Sequence, residues 1–401
     1  MRILFPLHGF IGWNGGIDLV RLLTAGLATQ LNPEVELHFA MPPSALKHNW
    51  LVAALRRWRR LRAGVSANPA QDSGSMTALH RTAQELVMGF PVFHCSNDAA
   101  GILDAAHRAR ADIIFPTVLP LGRRGPPRVG YIPDFQHRRL SHLFSARTIR
   151  KRDRLYAQIA KDADAIFIYS RAGAADATEF LGVPPDRLMA LPFTPYVQPW
   201  WFEPSIEETI DRYAITSPYF LICNHFWTHK DHATALRAFA SLVEQRKDQP
   251  IQLILTGDPI DHRAPDHYAK LIALTRDLGI DSRTRFLGLV PKPDQLALMR
   301  GCRAVIQPTL FEGGPGGGAV NLAIGLGVPA IVSDIPVNTE IDIDDVIFFR
   351  AGNAHSLTEK MIQVLDDAPP ISTPSELLQI SEQRLTTLGA GIVNHLKRLV
   401  T

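Results

Sequence analysis

The feature that most constrains the fold of this 401-residue chain is the alternation of short apolar runs with helical stretches, in two blocks. The runs are β-branched or apolar throughout, which is typical of strands buried in a parallel sheet. The pattern predicts an α/β protein with two doubly wound parallel-sheet domains facing a central cleft. The predicted strands are RILFPLHGF, VELHFAM, DIIFPTVL, RVGYIP, AIFIYS and LMALPF in the front block, and YFLICN, IQLILTG, TRFLGLV, AVIQP and AIVSD in the back block.

The two blocks are separated by residues 194–218, which contain four prolines and no strand pattern. This break predicts an interdomain connector. The predicted boundaries are residues 1–195 for an N-terminal domain, 196–218 for the linker, 219–380 for a C-terminal domain, and 381–401 for a final helix that packs back toward the N-terminal domain.

Composition restricts the class of protein. No apolar run reaches the roughly 18 residues that a membrane span requires. The cysteines Cys95, Cys223 and Cys302 have neither disulfide nor metal-ligand spacing, which favours a reducing cytoplasm and argues against a structural metal.

The net charge is +3, but residues 1–195 carry +9 and the remainder carries −6. The front half is therefore expected to meet an anionic partner. No nucleic-acid recognition motif is present, so nucleic acid is not expected.

Residues 308–334 contain the most specific motif, PTLFEGGPGGGAVNLAIGLGVPAIVSD. Glu312 is followed by five glycines and one proline in six positions, and an apolar helix is predicted from about Ala319. Backbone N–H groups and a helix N-terminus directed at one point suit a phosphate or diphosphate. Glycine permits the close backbone approach that a Cβ would block.

The segments NHFWTHK (224–230), TRFLGLV (284–290) and FEGGPGGG…GLGVPAIVSD, taken in this order, resemble the nucleotide-binding half of a retaining glycosyltransferase of GT-B fold, family 4. Gly15-Gly16 and YIPDFQH (131–137) are similar to the front half of that family. The resemblance implies a hexosyltransferase that moves a sugar from a nucleotide-diphosphate donor to a saccharide or lipid-linked acceptor, in cell-surface polysaccharide or lipopolysaccharide synthesis. The expected sugar is mannose-like or deoxymannose-like.

The resemblance assigns the catalytic roles to Glu312, beside the donor sugar, and to His137, facing the sugar from the front half. Glu312 can bind sugar hydroxyls and stabilise positive charge at the anomeric carbon. His137 can orient a hydroxyl. No cofactor and no metal are expected, although His225, His229 and His232 are close in sequence. The residues expected to bind the nucleotide sugar are Gly15, Gly16, Asn224, Lys230, Gly288, Gly316, Gly317, Gly318 and Asn321.

Two positions depart from the family pattern. Asn224 stands where the family often has arginine, so more of the phosphate binding falls on Lys230. Leu322 stands where the family has a ribose-binding glutamate, and its neighbour Asn321 is the candidate replacement. The departures leave open a catalytically silent GT-B-like binding or scaffold subunit. An epimerase or phosphorylase on the same fold is a further alternative. A nicotinamide-dependent dehydrogenase is disfavoured, because no GxGxxG spacing occurs.

Residues 50–62, WLVAALRRWRRLR, combine five arginines with leucine and tryptophan. This composition is typical of a basic amphipathic helix on an anionic membrane surface. The alternative is a helix that packs its apolar stripe on its own domain. The first interpretation predicts a cytoplasmic protein held peripherally at the inner face of the plasma membrane.

Overall fold

The computed structural model describes residues 1–12, 14–43, 84–367 and 372–401. The basic segment 50–62 lies outside the described residues. The chain forms two compact units. Unit 1 comprises Met1–Pro192 together with Leu385–Thr401, and unit 2 comprises Phe193–Arg384. Each unit is built on one parallel sheet, so the predicted α/β class with two Rossmann-like sheets is confirmed.

Unit 1 contains a seven-stranded parallel sheet in the order β3-β2-β1-β4-β5-β6-β7. Its central strands are buried on both faces, as their continuous apolar sequences require. Strand β3 is short and partly exposed, and the sequence pattern did not predict it. The strands are β1 (Arg2–Pro6), β2 (Glu36–Met41), β3 (Val92–His94), β4 (Ile113–Thr117), β5 (Arg128–Tyr131), β6 (Ala165–Ile168) and β7 (Leu188–Ala190).

Two helices of unit 1 follow serines that cap their N-termini. Ser145 accepts a 3.2 Å hydrogen bond from Thr148 N, and Ser170 accepts one of 2.9 Å from Gly173 N. Each cap satisfies an N–H group that has no partner inside the helix. The first helix starts at Asn14, so Gly15 and Gly16 lie in its first turn. The helices are α1 (Asn14–Ala28), α2 (Ala99–Ala109), α3 (Gln136–Arg139), α4 (Ala146–Asp162) and α5 (Arg171–Leu181).

Unit 2 contains a six-stranded parallel sheet in the order β10-β9-β8-β11-β12-β13. Strand β13 pairs with β12 at the sheet edge and was not predicted. The run AIVS forms β12 as predicted. The strands are β8 (Tyr219–Cys223), β9 (Gln252–Thr256), β10 (Thr284–Gly288), β11 (Val305–Gln307), β12 (Ala330–Ser333) and β13 (Val346–Phe349).

The proline-rich segment contains helical structure and lies within unit 2. It includes a 3₁₀ turn at Pro199–Phe202, in which Trp201 is buried. The sequence pattern gave no sign of this turn. The helices of unit 2 are α6 (Ile206–Arg212), α7 (His232–Gln245), α8 (His267–Asp277), α9 (Lys292–Gly301), α10 (Gly317–Gly325) and α11 (Ala354–Asp366). The last helix, α12 (Pro374–Val400), contributes its first part to unit 2 and its remainder to unit 1.

The strand order fixes where unit 2 can hold a ligand. Strands β8 and β11 are neighbours in the sheet, but the chain leaves them toward opposite sheet edges. In open parallel sheets, ligands bind beyond the carboxyl ends of strands at such a reversal. Asn224 directly follows β8, and Gln307 is the last residue of β11. Both polar residues therefore lie at the strand ends where this topology is expected to form a binding crevice.

Candidate active site in unit 2

Asn224 and Gln307 connect the ends of the two central strands. The Asn224 Nδ2 group donates a hydrogen bond to Gln307 Oε1. Both residues are buried, with only 1% of Gln307 exposed. Buried amides require partners, and this bond satisfies one donor and one acceptor together. Asn224 was predicted to bind the nucleotide sugar, and the structure places it against Gln307.

Lys230 and Glu312 form an ion pair beside these amides. Lys230 lies in a 3₁₀ turn, Thr228–Lys230, and its Nζ contacts Glu312 Oε1. Each side chain is only 11% exposed. The two segments are joined by Leu310 N, which donates a 2.8 Å hydrogen bond to His229 O. The predicted phosphate-binding lysine and the predicted catalytic glutamate are therefore in direct contact.

Gln307 is the third partner of this carboxylate. Its Nε2 donates a 2.7 Å hydrogen bond to Glu312 Oε1 and a 3.2 Å bond to Gly316 O. Glu312 thus accepts from one charged and one neutral donor. In the sequence, Gln307 is the one polar residue before the proline in the predicted strand AVIQP. That polarity was the available signal for its role.

The glycine loop adopts a backbone that other residues avoid. Gly316 and Gly317 have φ values of +62° and +59°, in the left-handed region. A Cβ on Gly316 would lie 2.5 Å from Val320 Cβ. A Cβ on Gly317 would lie 3.1 Å from Glu312 Oε2. Glycine at 317 therefore permits the carboxylate to lie against the N-terminus of α10.

Two of the three predicted amides already have partners inside the protein. Gly316 N donates a 2.8 Å hydrogen bond to Asn338 Oδ1, and Gly317 N donates a 3.1 Å bond to Gly314 O. A Cβ at Gly318 would have no atom within 4 Å. The Gly318 amide lies in the first turn of α10, where helical N–H groups lack a partner within the helix. Among these three residues, Gly318 is therefore best placed to meet an anion.

Asn338 anchors this loop, a role that the sequence pattern did not predict. Its side chain is fully buried, and its Nδ2 donates a 2.9 Å hydrogen bond to Ser333 O at the end of β12. Ser333 Oγ in turn donates a 2.6 Å bond to Thr309 O. A single asparagine in a 3₁₀ turn after the strand carries no sequence signal for this contact.

Asn321 and Leu322 lie on different surfaces of α10. Asn321 Nδ2 donates a 2.9 Å hydrogen bond to Gly317 O. Its Oδ1 is buried and has no hydrogen-bond partner within the part of the chain that the structure describes. Leu322 is 8% exposed and belongs to the core. Asn321 thus has an acceptor available, whereas Leu322 has a packing role.

The three neighbouring histidines are packing residues in this structure. Burial lowers the pKa of His229 to about 2 and that of His232 to about 3, with Lys230 a further cause in both cases. Both are uncharged at neutral pH. His232 stacks on Phe226, and His225 Nδ1 accepts a hydrogen bond from Asp258 N. Within residues 1–12, 14–43, 84–367 and 372–401, no group of three His, Cys, Asp or Glu side chains is arranged to hold a metal.

Gly288 ends β10 with φ +69°, and its carbonyl accepts a 2.9 Å hydrogen bond from Gly257 N. A Cβ on Gly257 would lie 2.0 Å from Asn224 O. These glycines let the ends of β8, β9 and β10 approach one another closely. A nucleotide-binding role for Gly288 stays a prediction.

The predicted residues of the front half belong to unit 1. Gly15 and Gly16 lie in the first turn of α1. His137 has no exposed surface, and its Nε2 lies 3.0 Å from Asp153 Oδ1. Burial lowers the pKa of His137, although the bond to Asp153 acts in the opposite direction. The catalytic role of His137 stays a prediction.

Comparison with known proteins finds a family match within unit 2. Residues 205–381 match the family Glycosyl transferases group 1. This range contains the whole constellation of Asn224, Lys230, Gln307 and Glu312. None of the curated proteins matches the chain.

Solved structures resemble the chain over nearly its full length. Anabaena HepE in complex with UDP and glucose has a TM-score of 0.68 at 17% identity, with 100% of both chains covered. Sucrose-phosphate synthase from Thermosynechococcus elongatus has a TM-score of 0.59 at 13% identity, covering 99% of this chain and 97% of the other. WaaG, a glycosyltransferase involved in lipopolysaccharide biosynthesis, has a TM-score of 0.53 at 15% identity, covering 97% and 95%.

The fold and the family match together define the class of protein. The chain has GT-B architecture, carries a Glycosyl transferases group 1 domain, and is a glycosyltransferase enzyme. Across the part of the chain that the structure describes, no helix is both long enough and apolar enough to cross a bilayer.

Proposed function

We infer that this enzyme transfers a hexose from a nucleoside diphosphate sugar to a saccharide or lipid-linked saccharide, with retention of anomeric configuration as in family 4. The observation that carries this proposal is the buried Lys230–Glu312 pair at the N-terminus of α10. It combines an ammonium for a diphosphate with a carboxylate for a sugar, at the strand ends where unit 2 can bind a ligand.

Lys230 and α10 would bind the leaving group. As the glycosidic C–O bond breaks, the nucleoside diphosphate departs with the electron pair and gains negative charge. The ammonium and the positive helix end both stabilise that charge. Asn224 is uncharged, so it contributes hydrogen bonding and holds Gln307. No metal or other cofactor is required by this scheme.

Glu312 would act at the sugar. Its carboxylate can accept hydrogen bonds from sugar hydroxyls and stabilise positive charge on the anomeric carbon. The acceptor oxygen attacks from the face that the diphosphate leaves, and its proton passes to a phosphate oxygen. His137, Gly15 and Gly16 are proposed to contribute to sugar and acceptor binding from unit 1.

The nucleoside would be held through Asn321 and the backbone near Gly288. The free Oδ1 of Asn321 can accept a hydrogen bond from a ribose hydroxyl. A uridine donor is the first choice to test, because a structural neighbour, Anabaena HepE, is known in complex with UDP-glucose. GDP-mannose and dTDP-rhamnose test the expectation of a mannose-like or deoxymannose-like sugar.

The proposed setting is cell-surface polysaccharide or lipopolysaccharide synthesis at the cytoplasmic face of the plasma membrane. The resemblance to WaaG supports it. The acceptor would then be an oligosaccharide carried on a lipid.

The experiment is a donor panel in two assays. Thermal shift ranks nucleoside diphosphates by affinity, because a ligand that binds the native state raises Tm. Release of nucleoside diphosphate from each sugar donor, with and without oligosaccharide acceptors, then measures turnover. The expected result is one donor that raises the Tm of the protein and that the enzyme also turns over. Stabilisation without turnover across the panel would instead support the catalytically silent protein that the buried Leu322 suggests.

A further inference from the structure

Glu312 occupies the place where an anionic ligand would be expected. Its Oε1 accepts hydrogen bonds from Lys230 Nζ and Gln307 Nε2, and its Oε2 lies beside Gly317 at the start of α10. An ammonium, an amide and a helix N-terminus are the groups that commonly bind phosphate. In this structure they surround a side-chain carboxylate.

A diphosphate that reaches Lys230 must therefore replace Glu312 on it. Lys230 is buried, and its ammonium already has a charged partner. We propose that Glu312 is an internal competitor of the donor diphosphate for Lys230, an inference that rests on the proposed function. Donor binding exchanges the carboxylate for the phosphate and frees the carboxylate for the sugar.

The remaining contacts keep the freed carboxylate in position. Gln307 Nε2 donates to Glu312 at 2.7 Å, and this bond does not depend on the ammonium. Gln307 is itself held by Asn224 Nδ2 at its Oε1 and is bonded to Gly316 O through Nε2. The exchange thus removes one of the two donors of Glu312 and leaves the other. It links diphosphate binding to the availability of the catalytic carboxylate.

The test is a double-mutant cycle on the affinity for UDP, or for the diphosphate that ranks first in the thermal-shift panel. Isothermal titration compares wild type, Glu312→Gln, Lys230→Met and the double variant. Glu312→Gln replaces the competing carboxylate with an uncharged amide of the same shape. The UDP Kd of this variant is therefore expected to fall about tenfold, which corresponds to about 1.4 kcal/mol. In the Lys230→Met background the same change is expected to alter Kd less than about twofold, because the cycle isolates the coupling.

Two controls separate competition from general charge repulsion. Asp334→Asn removes a negative charge at the end of β12 without touching Lys230, since Asp334 is exposed and accepts from Ala351 N. It should change the UDP Kd less than about twofold, as expected for an exposed charge. Uridine, which lacks phosphate, should bind wild type and Glu312→Gln equally.

The possible outcomes distinguish a failure of this inference from a failure of the proposed function. If wild type binds UDP but Glu312→Gln binds it equally or more weakly, the competition is refuted and the transferase proposal stands. If Glu312→Gln tightens UDP binding equally without Lys230, the effect is plain repulsion and the competition is also refuted. If wild type and all variants bind no nucleoside diphosphate, both proposals fail. Should Glu312→Gln not fold, Glu312→Asp, which retains the charge but shortens the reach, is expected to tighten UDP binding in the same direction.

Discussion

Gln307 Nε2 donates a 2.7 Å hydrogen bond to the Glu312 carboxylate, to the same oxygen that contacts Lys230. This contact joins the end of a central strand to the loop that carries the predicted catalytic residue. Because only 1% of Gln307 is exposed, the orientation of its amide is fixed. The position of Glu312 therefore depends on the sheet as well as on its own loop.

Gln307→Met should lower kcat by about tenfold or more, on the scale of one hydrogen bond to a charged group, and leave the donor KM nearly unchanged. The methionine fills a similar volume but cannot hold the carboxylate. Steady-state kinetics with the preferred donor separates the two constants. Gln245→Met, at an exposed helix position, is the control. A rise in KM at constant kcat would show that Gln307 acts on donor binding.

Glu312→Gln should reduce kcat by about 100- to 1,000-fold, the range for removal of one electrostatic stabiliser of a transition state. The amide keeps the shape but loses the negative charge beside the anomeric carbon. Rates of sugar transfer at saturating donor measure the loss. Unchanged turnover would remove Glu312 from the mechanism.

Lys230→Met should weaken UDP binding by about 1.5–3 kcal/mol, the scale of a charge-assisted hydrogen bond. It should also lower the free energy of unfolding, because Glu312 loses its charged partner in a buried site. Titration calorimetry and urea unfolding measure the two effects. The control is Lys270→Met, whose ammonium is on a side chain that is 75% exposed. Equal UDP affinity in wild type and Lys230→Met would refute the phosphate role.

Gly316→Ala and Gly318→Ala should affect different properties, the first stability and the second UDP binding. At 316 the new Cβ meets Val320 and the backbone is left-handed, so the free energy of unfolding should fall by about 1–3 kcal/mol. At 318 the Cβ meets open space, so stability should hold while UDP binding weakens. Urea unfolding and calorimetry on both variants make the comparison. A Gly318→Ala protein with normal UDP affinity would show that the phosphate does not approach this turn.

The buried histidines predict a pH dependence of stability. In the unfolded chain a histidine binds a proton near pH 6.5, whereas His229 and His232 do so only at about 2 and 3 when folded. The unfolded state therefore binds more protons below pH 6.5, and stability falls as pH falls, by about 1.4 kcal/mol per pH unit for each histidine. Urea unfolding between pH 6.5 and 4 measures the slope.

His232→Phe, which can stack on Phe226 as the imidazole does, should make that slope shallower by about 1.4 kcal/mol per pH unit. An unchanged slope in this variant would mean that His232 is protonated in the folded chain.

Much of the fold was predictable because continuous apolar runs indicate strands that are buried in a sheet. The central strands of both sheets have continuous apolar sequences, and Gly182 and Gly327 mark helix ends by their left-handed backbones. Strands β3 and β13 were missed because each is short, partly exposed and at a sheet edge. A half-exposed strand of three or four residues has too little pattern to recognise.

The site was predictable only in part. Glu312 and the glycines stand out because a run of glycines between a strand and a helix is rare in sequence. Gln307 and Asn338 do not, because their roles depend on contacts between segments distant in the chain. A single polar residue at a strand end has many possible partners, and only the fold selects one.

The most direct test of the transferase proposal is a crystal structure of the full chain with bound UDP. The predicted result places a phosphate oxygen within about 3 Å of Lys230 Nζ, the length of a hydrogen bond, and beside the amide of Gly318. UDP bound away from the ends of β8 and β11, with Lys230 still paired to Glu312, would contradict the proposal.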